Sequence, residues 1–159
     1  MPRMRLTMPK IDVDKIPLDT ATGYPPPFDK AVEGRSRQRL GRAAGLTQFG
    51  VNLCTLKPGA ASSQRHWHEN EDEFVYVLQG EAVLCEDGGE TVLKPGDAAG
   101  WKAGVPNGHC LINRSNRDAV FIEVGTRAVA ERAHYSDIDM MVVRDEKGAR
   151  YTKKNGEPY

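Results

Sequence analysis

From Thr47 to Val124 apolar and polar residues alternate in short blocks, each closed by a turn residue before the next begins. The blocks are Thr47–Leu56, Glu73–Leu78, Glu81–Glu86, Glu90–Leu93, Ala98–Trp101, Gly108–Asn113 and Ala119–Val124. Gln79-Gly80, Asp87-Gly88-Gly89, Lys94-Pro95-Gly96 and Arg114-Ser115-Asn116 separate several of them. A period of two bounded by glycine and proline predicts strands, and many short strands in succession predict an all-β sandwich or barrel. Ahead of this stretch, residues 1–44 carry Pro25-Pro26-Pro27 and little periodicity, which predicts an extended arm lying over the barrel. Beyond it, Ala128–His134 predicts a helical turn or two. Met140–Arg144 and Ala149–Lys153, joined through Asp145–Gly148, predict a terminal hairpin. One domain is expected: arm 1–44, barrel 45–126, extension 127–159.

Three of the four histidines fall inside this barrel stretch. His66 and His68 are two apart, so on a strand both imidazoles point to one face. His109 opens a later strand-like block, and the Cys110 side chain next to it must face the other way. A carboxylate is at hand in Glu69, Glu71, Asp72 or Glu73, although the intervening turn destroys the parity that would choose among them. Glu73 opens the apolar run that ends at Leu78, and Asp72 is the next candidate. Three imidazoles and one carboxylate suit a divalent transition metal such as iron, manganese, nickel, cobalt or zinc, rather than calcium or copper(I).

The order of residues around these ligands is similar to that of the cupin superfamily. Gly59, then His66-Trp67-His68, then Glu73 after four residues and Gly80 after six more, follow the first cupin motif. Gly96, Gly104, His109 and Asn113 follow the second. Six residues rather than five separate Gly59 from His66, Lys102 stands where the motif has proline, and four residues rather than two precede His109. The resemblance covers about residues 46–126 and extends to small bacterial single-domain cupins. It implies a double-stranded β-helix barrel with His66, His68, Glu73 and His109 as ligands to one metal. It also implies action on a small molecule, by isomerisation of a sugar or sugar phosphate or by oxygen-dependent cleavage of a chelating compound. A non-catalytic module that holds a metal and a small ligand is the alternative.

Composition narrows the setting. Twenty-two basic residues balance twenty-two acidic ones, so no global field draws the chain to nucleic acid or a membrane surface. Neither a helix-turn-helix pattern nor a basic stripe supports a DNA-binding role. Met1–Lys10 has no apolar segment of a secretory signal, and Met4 or Met8 could equally serve as the start. Cys54, Cys85 and Cys110 lie in apolar runs at no metal-like spacing, which reads as buried thiols in a reducing cytoplasm.

Arg35, Arg37 and Arg39 alternate, with Arg42 close by. On a strand they would share a face suited to an anion, but a solvated stretch of arm is the favoured expectation. Trp101, Tyr76 and Phe121 are expected in the core, and His134, Asp137 and Asp139 at the surface. Barrel edges must be covered or paired, so a homodimer is expected in which the arm or the hairpin crosses to the neighbour.

Overall fold

A computed structural model describes residues 10–159. The expectations for Met1, Met4 and Met8 fall on residues outside that range. Two 3-10 turns, Val13–Lys15 and Phe28–Val32, precede β1 (Arg35–Gln38), the short α1 (Leu40–Ala43) and β2 (Phe49–Leu56). Then come β3 (His66–His68), β4 (Glu73–Gln79), β5 (Ala82–Glu86), β6 (Gly89–Leu93), β7 (Ala98–Trp101), β8 (Cys110–Ile112) and β9 (Ala119–Thr126). The extension forms β10 (Glu131–Tyr135), β11 (Met141–Asp145) and β12 (Gly148–Thr152). The β11–β12 hairpin turns at Asp145–Gly148, as its sequence predicted.

One sheet has the order β1-β2-β9-β4-β7. Facing it, the β12-β11-β10-β3 and β6-β5-β8 sheets meet through a bridge in which His66 and His109 exchange backbone N–H···O bonds of 3.1 and 2.9 Å. The two layers make the expected jelly-roll barrel, a double-stranded β-helix.

The inward side chains grade from polar to apolar along each strand. On β2 they run Asn52, Cys54, Leu56; on β4 Glu73, Val75, Val77; on β9 Glu123, Phe121, Ala119. Leu84, Leu93 and Leu111 complete the apolar half, which fills one end of the barrel and leaves the other open as a cavity. Gly80 lets the chain turn after β4. Its φ is +68°, and a Cβ there would stand 2.2 Å from the Asp118 carbonyl oxygen, so no larger residue fits. Asn113 closes the second motif from inside. It donates to the carbonyls of Leu56 and Arg117 at 2.8 and 2.6 Å and accepts from Ser115, so its role is to hold the turn.

Two expectations are corrected. Ala128–His134 is not helical: Glu131, Ala133 and Tyr135 are buried in alternation, and this period of two places the segment as β10 between β3 and β11. The arm does more than lie on the surface, because β1 adds to the sheet edge, with Arg35 opposite Leu56 and Arg37 opposite Cys54. Both arginines therefore face inward. Cys54 and Cys110 are buried, and burial pushes each thiol up to about 12; Cys85 is half-buried. No helix among the described residues is long and apolar enough to cross a membrane.

Candidate metal centre

Four side chains of the predicted set meet at the polar end of the barrel. His66 and His68 come from β3, Glu73 from the first position of β4, and His109 from the bridge residue before β8. His109 Nε2 lies 2.6 Å from Glu73 Oε2, His66 Nε2 3.7 Å from the same oxygen, and His68 Nε2 3.4 Å from Glu73 Oε1. The ligand atoms of His66, His68 and Glu73 all lie within 4.8 Å of one another. The competing carboxylates are engaged elsewhere. Asp72 accepts from the Ala103 amide, Glu69 pairs with His134, and Glu71 holds Arg144 and the Ala128 amide.

Hydrogen bonds to the far side of each ring decide which nitrogen is available. His66 Nδ1–H donates to the Gln64 carbonyl at 2.9 Å, and His109 Nδ1–H to the Asn107 carbonyl at 3.3 Å. A carbonyl only accepts, so both rings keep an Nε2 lone pair toward the cluster. His68 Nδ1 is buried and faces Glu131 at 3.4 Å and Glu71 at 3.8 Å. Two carboxylates favour a proton on that nitrogen, which again leaves the lone pair on Nε2. His66 Nε2 and His68 Nε2 then stand 3.1 Å apart with lone pairs opposed, an arrangement that calls for a cation between them. The donor set thus fits a transition metal.

The electrostatics agree. Burial holds the His66 imidazolium down at about 4, so the ring stays neutral at ordinary pH. Burial alone would raise the Glu73 carboxyl. The imidazoles of His109, His68 and His66 that surround it outweigh burial and hold the group well below the usual carboxylate range. At His68, burial disfavours the charged form, but Glu73, Glu131 and Glu71 together raise its pKa.

Glu131 was not among the expected site residues. It accepts from the Glu69 and Asn70 amides at 2.9 Å each and so is fixed behind His68. His68, Glu71 and Glu131 are close enough to suggest a second cation site. Their oxygens are already engaged by amides and Arg144, so they orient His68 instead. The period-two burial of Glu131, Ala133 and Tyr135 was the signal that could have placed Glu131 on a strand beside β3.

The cluster opens into a cavity of about 500 Å³, into which Glu73 keeps 30% of its side chain exposed. Trp101 forms part of the wall, stacked on His109 with ring centroids 3.8 Å apart, while its Nε1–H donates to Glu86. Phe121 reaches both cavity and core. Tyr76 points outward and is 41% exposed, contrary to expectation, because it alternates with the buried Val75 and Val77. Cys110 lies opposite Cys85 across the β5–β8 pair.

The opposite wall overturns the reading of the arginines as a solvated stretch. Arg35 is buried, and Arg37 Nε–H donates to Glu123 at 2.5 Å, with Asn52 Nδ2–H on the same oxygen at 2.9 Å. Arg39 has left the strand and pairs with Asp19, and Arg42 is exposed. His134 is half-buried, stacked on Trp67 with centroids 4.3 Å apart. Asp137 is tied to Arg65, and Asp139 accepts from the Lys154 amide, as surface turns do.

A jelly-roll barrel with three imidazoles and a carboxylate at its open end defines a class of small barrels with a candidate metal site. Residues 52–125 match the model of the cupin domain, and the chain belongs to the cupin superfamily. It is 50% identical to the solved structure of a sugar phosphate isomerase from a cupin superfamily of Silicibacter pomeroyi DSS-3, with a TM-score of 0.92 over 95% of this chain and 96% of that one. It is 37% identical over 105 residues to a β-D-galactosidase of Mycobacterium tuberculosis, covering 62% of this chain and 83% of the relative. An oxalate-binding protein of Thermotoga maritima is 36% identical over 69 residues, 43% of this chain, which spans about half (54%) of that relative's length.

Proposed function

We propose that this chain is a metal-dependent isomerase of a phosphorylated sugar, with His66, His68, Glu73 and His109 holding one divalent transition metal. The observation that carries this reading is the pairing of that donor set with a cavity lined by hydrogen-bonding groups, which suits a polyhydroxylated ligand. Two relatives bear the names of sugar-acting enzymes, one of them at 50% identity over nearly the whole chain. Held by these four side chains, a bound metal would supply a Lewis acid able to polarise neighbouring carbonyl and hydroxyl oxygens.

The protein must supply the proton transfers of an aldose–ketose exchange. Glu123 is the cavity-lining carboxylate outside both the ligand set and the Glu71–Arg144 pair. We assign it the proton that leaves the carbon beside the carbonyl and returns to the carbonyl carbon, while the hydroxyl proton passes between the two oxygens. Asn52 and Arg37 hold this carboxylate in place. Trp101 and Phe121 keep water from the apolar side of the cavity.

The test is a proton NMR assay of the metal-loaded protein with a panel of sugar phosphates. Interconversion of one aldose–ketose pair, lost in Glu123→Gln at unchanged metal content, supports the reading. A second reading, binding without turnover, is favoured by the oxalate-binding relative. Saturable binding of oxalate with no conversion of any sugar phosphate would select it. Oxygen consumption with a chelating substrate would select oxidative cleavage instead, and iron in the elemental analysis would accompany that outcome.

We also propose a homodimer, placed differently from the expected exchange of arm or hairpin. Both extensions already pair within the chain, β1 with β2 and the hairpin with β10. The outer face of the five-stranded sheet instead presents Phe74, Tyr76 and Leu78, all more than 40% exposed, beside the half-buried Ile122 and Val124. Such a contiguous apolar patch suits a second copy. Sedimentation at micromolar concentration should give a dimeric mass, and Tyr76→Glu should give a monomer. The three unpaired cysteines fit the reducing cytoplasm expected for the protein.

A further inference from the structure

Arg35 is 6% exposed, yet no ion pair among the described residues includes it. By contrast Arg37, Arg39, Arg65 and Arg144, which lie nearer the surface, each have a carboxylate partner. Arg35 has only carbonyl partners, donating from Nη1 to Ser62 at 2.7 Å and from Nη2 to Ala21 at 3.3 Å. A guanidinium has five N–H donors in a planar fork, so most of this fork is uncommitted.

Arg37 stands beside it, and its Nη2 reaches the same Ser62 carbonyl at 3.4 Å. The charge of Arg37 is balanced by Glu123, and that carboxylate is further occupied by Asn52. Tyr24 and Cys54 are the other titratable side chains whose charge acts on Arg35, and burial raises the pKa of each, so neither offers an anion. The β1 wall of the cavity thus carries one unbalanced positive charge. Burial together with the charge of Arg37 lowers the pKa of Arg35 from its ordinary value, a sign that the site lacks a counterion. Holding a buried charge unpaired is costly, and an anion entering the cavity would relieve that cost.

The metal cluster and Arg35 border the same cavity from different walls. A substrate that engages the metal with its carbonyl and hydroxyl oxygens presents its other end to the rest of the lining. On the sugar-phosphate reading, on which this inference rests, that other end is a phosphate monoester. Its oxygens match the guanidinium fork. We propose that Arg35, supported by Arg37, is the phosphate subsite of the cavity and the residue that selects phosphorylated over free sugars.

The experiment uses the full-length metal-loaded protein, its Arg35→Gln and Arg35→Lys variants, and two probes, inorganic phosphate and acetate. Phosphate should raise the melting temperature of the wild type and bind by calorimetry. Its affinity should fall about 10- to 100-fold in Arg35→Gln and by less in Arg35→Lys, which keeps the charge but loses the fork. Metal content should be the same in all three proteins. Arg35→Lys also guards against misfolding, because it retains a cation and a donor toward the Ser62 carbonyl. Absence of phosphate binding to the wild type overturns the proposal. Equal affinity in wild type and variants also overturns it, and shows that Arg35 only staples the arm. Binding of acetate without phosphate overturns the phosphate assignment in favour of a carboxylate ligand. Turnover of a sugar phosphate with a KM unchanged by Arg35→Gln removes the subsite but leaves the isomerase standing. Arg35-dependent phosphate binding without turnover does the reverse.

Discussion

Along the wall formed by β3, β4 and the start of β8, three imidazoles and a carboxylate approach one another to between 2.6 and 3.7 Å, the imidazoles each held from behind. Along the wall formed by β1, β2 and β9, two guanidiniums stand side by side with a single carboxylate between them and the barrel. The first wall concentrates electron pairs and invites a cation. The second has one positive charge more than it can balance and invites an anion. A cavity with such ends orients a polar ligand before any chemistry begins, because reversing the ligand would set like charges together.

The largest test of this contrast removes the cation wall. His66→Ala or His109→Ala should strip most of the bound metal, measured by elemental analysis, while circular dichroism stays that of the wild type. The strands and apolar core, rather than the ion, hold the barrel together. A variant that keeps full metal content would end the assignment. The next test acts from behind: Glu131→Gln should weaken metal affinity by about 10- to 100-fold, read by competition with a chelator, because His68 loses the carboxylate that orients it.

On the other wall the loss should be one of stability. Arg37→Met leaves Glu123 beside the cavity with Asn52 alone, which should cost about 1–3 kcal/mol in denaturant unfolding. Unchanged stability would show that solvent already satisfies this carboxylate. The walls should also differ in their response to acid. His66 has a folded pKa of about 4, below its ordinary 6.5, so the unfolded chain binds its proton more readily. Its stabilising effect in the metal-free protein is complete above about 6.5 and is lost as pH falls toward 4. Glu73, lowered from 4.5, adds loss in the same direction below that value, whereas His68, raised, contributes stability that is complete below about 6.5 and is lost only as pH rises above it. The melting temperature of the metal-free protein should therefore drop between pH 6.5 and 4, and a flat profile would contradict the burial of a neutral His66. The smallest effect is expected for Cys110→Ser, which should leave metal content unchanged, since the thiol faces Cys85 rather than the ligands.

The two walls were not equally legible in the sequence. His66, His68 and His109 could be read because strand parity and short spacings carry their geometry within a few residues. The choice of Glu73 needed the motif, since a turn breaks parity before it. Arg35 and Arg37 showed the right alternation, but whether their shared face meets water or a cavity depends on β1 pairing with β2, a contact set by residues such as Cys54 and Leu56 far along the chain. Glu131 was hidden for a related reason. Its segment is short enough to pass for a helical turn until the ladders with β3 and β11 are known.

The attachment of β1 bears on how such a molecule changes over generations. Four residues, Arg35 to Gln38, join the sheet edge through a backbone ladder that is largely indifferent to which side chains they carry. Inherited substitutions at positions 35 and 37 can therefore alter what the cavity accepts while the histidine strands and their turns stay untouched. Selection for a new substrate has in this strand a dial it can turn without rebuilding the machine.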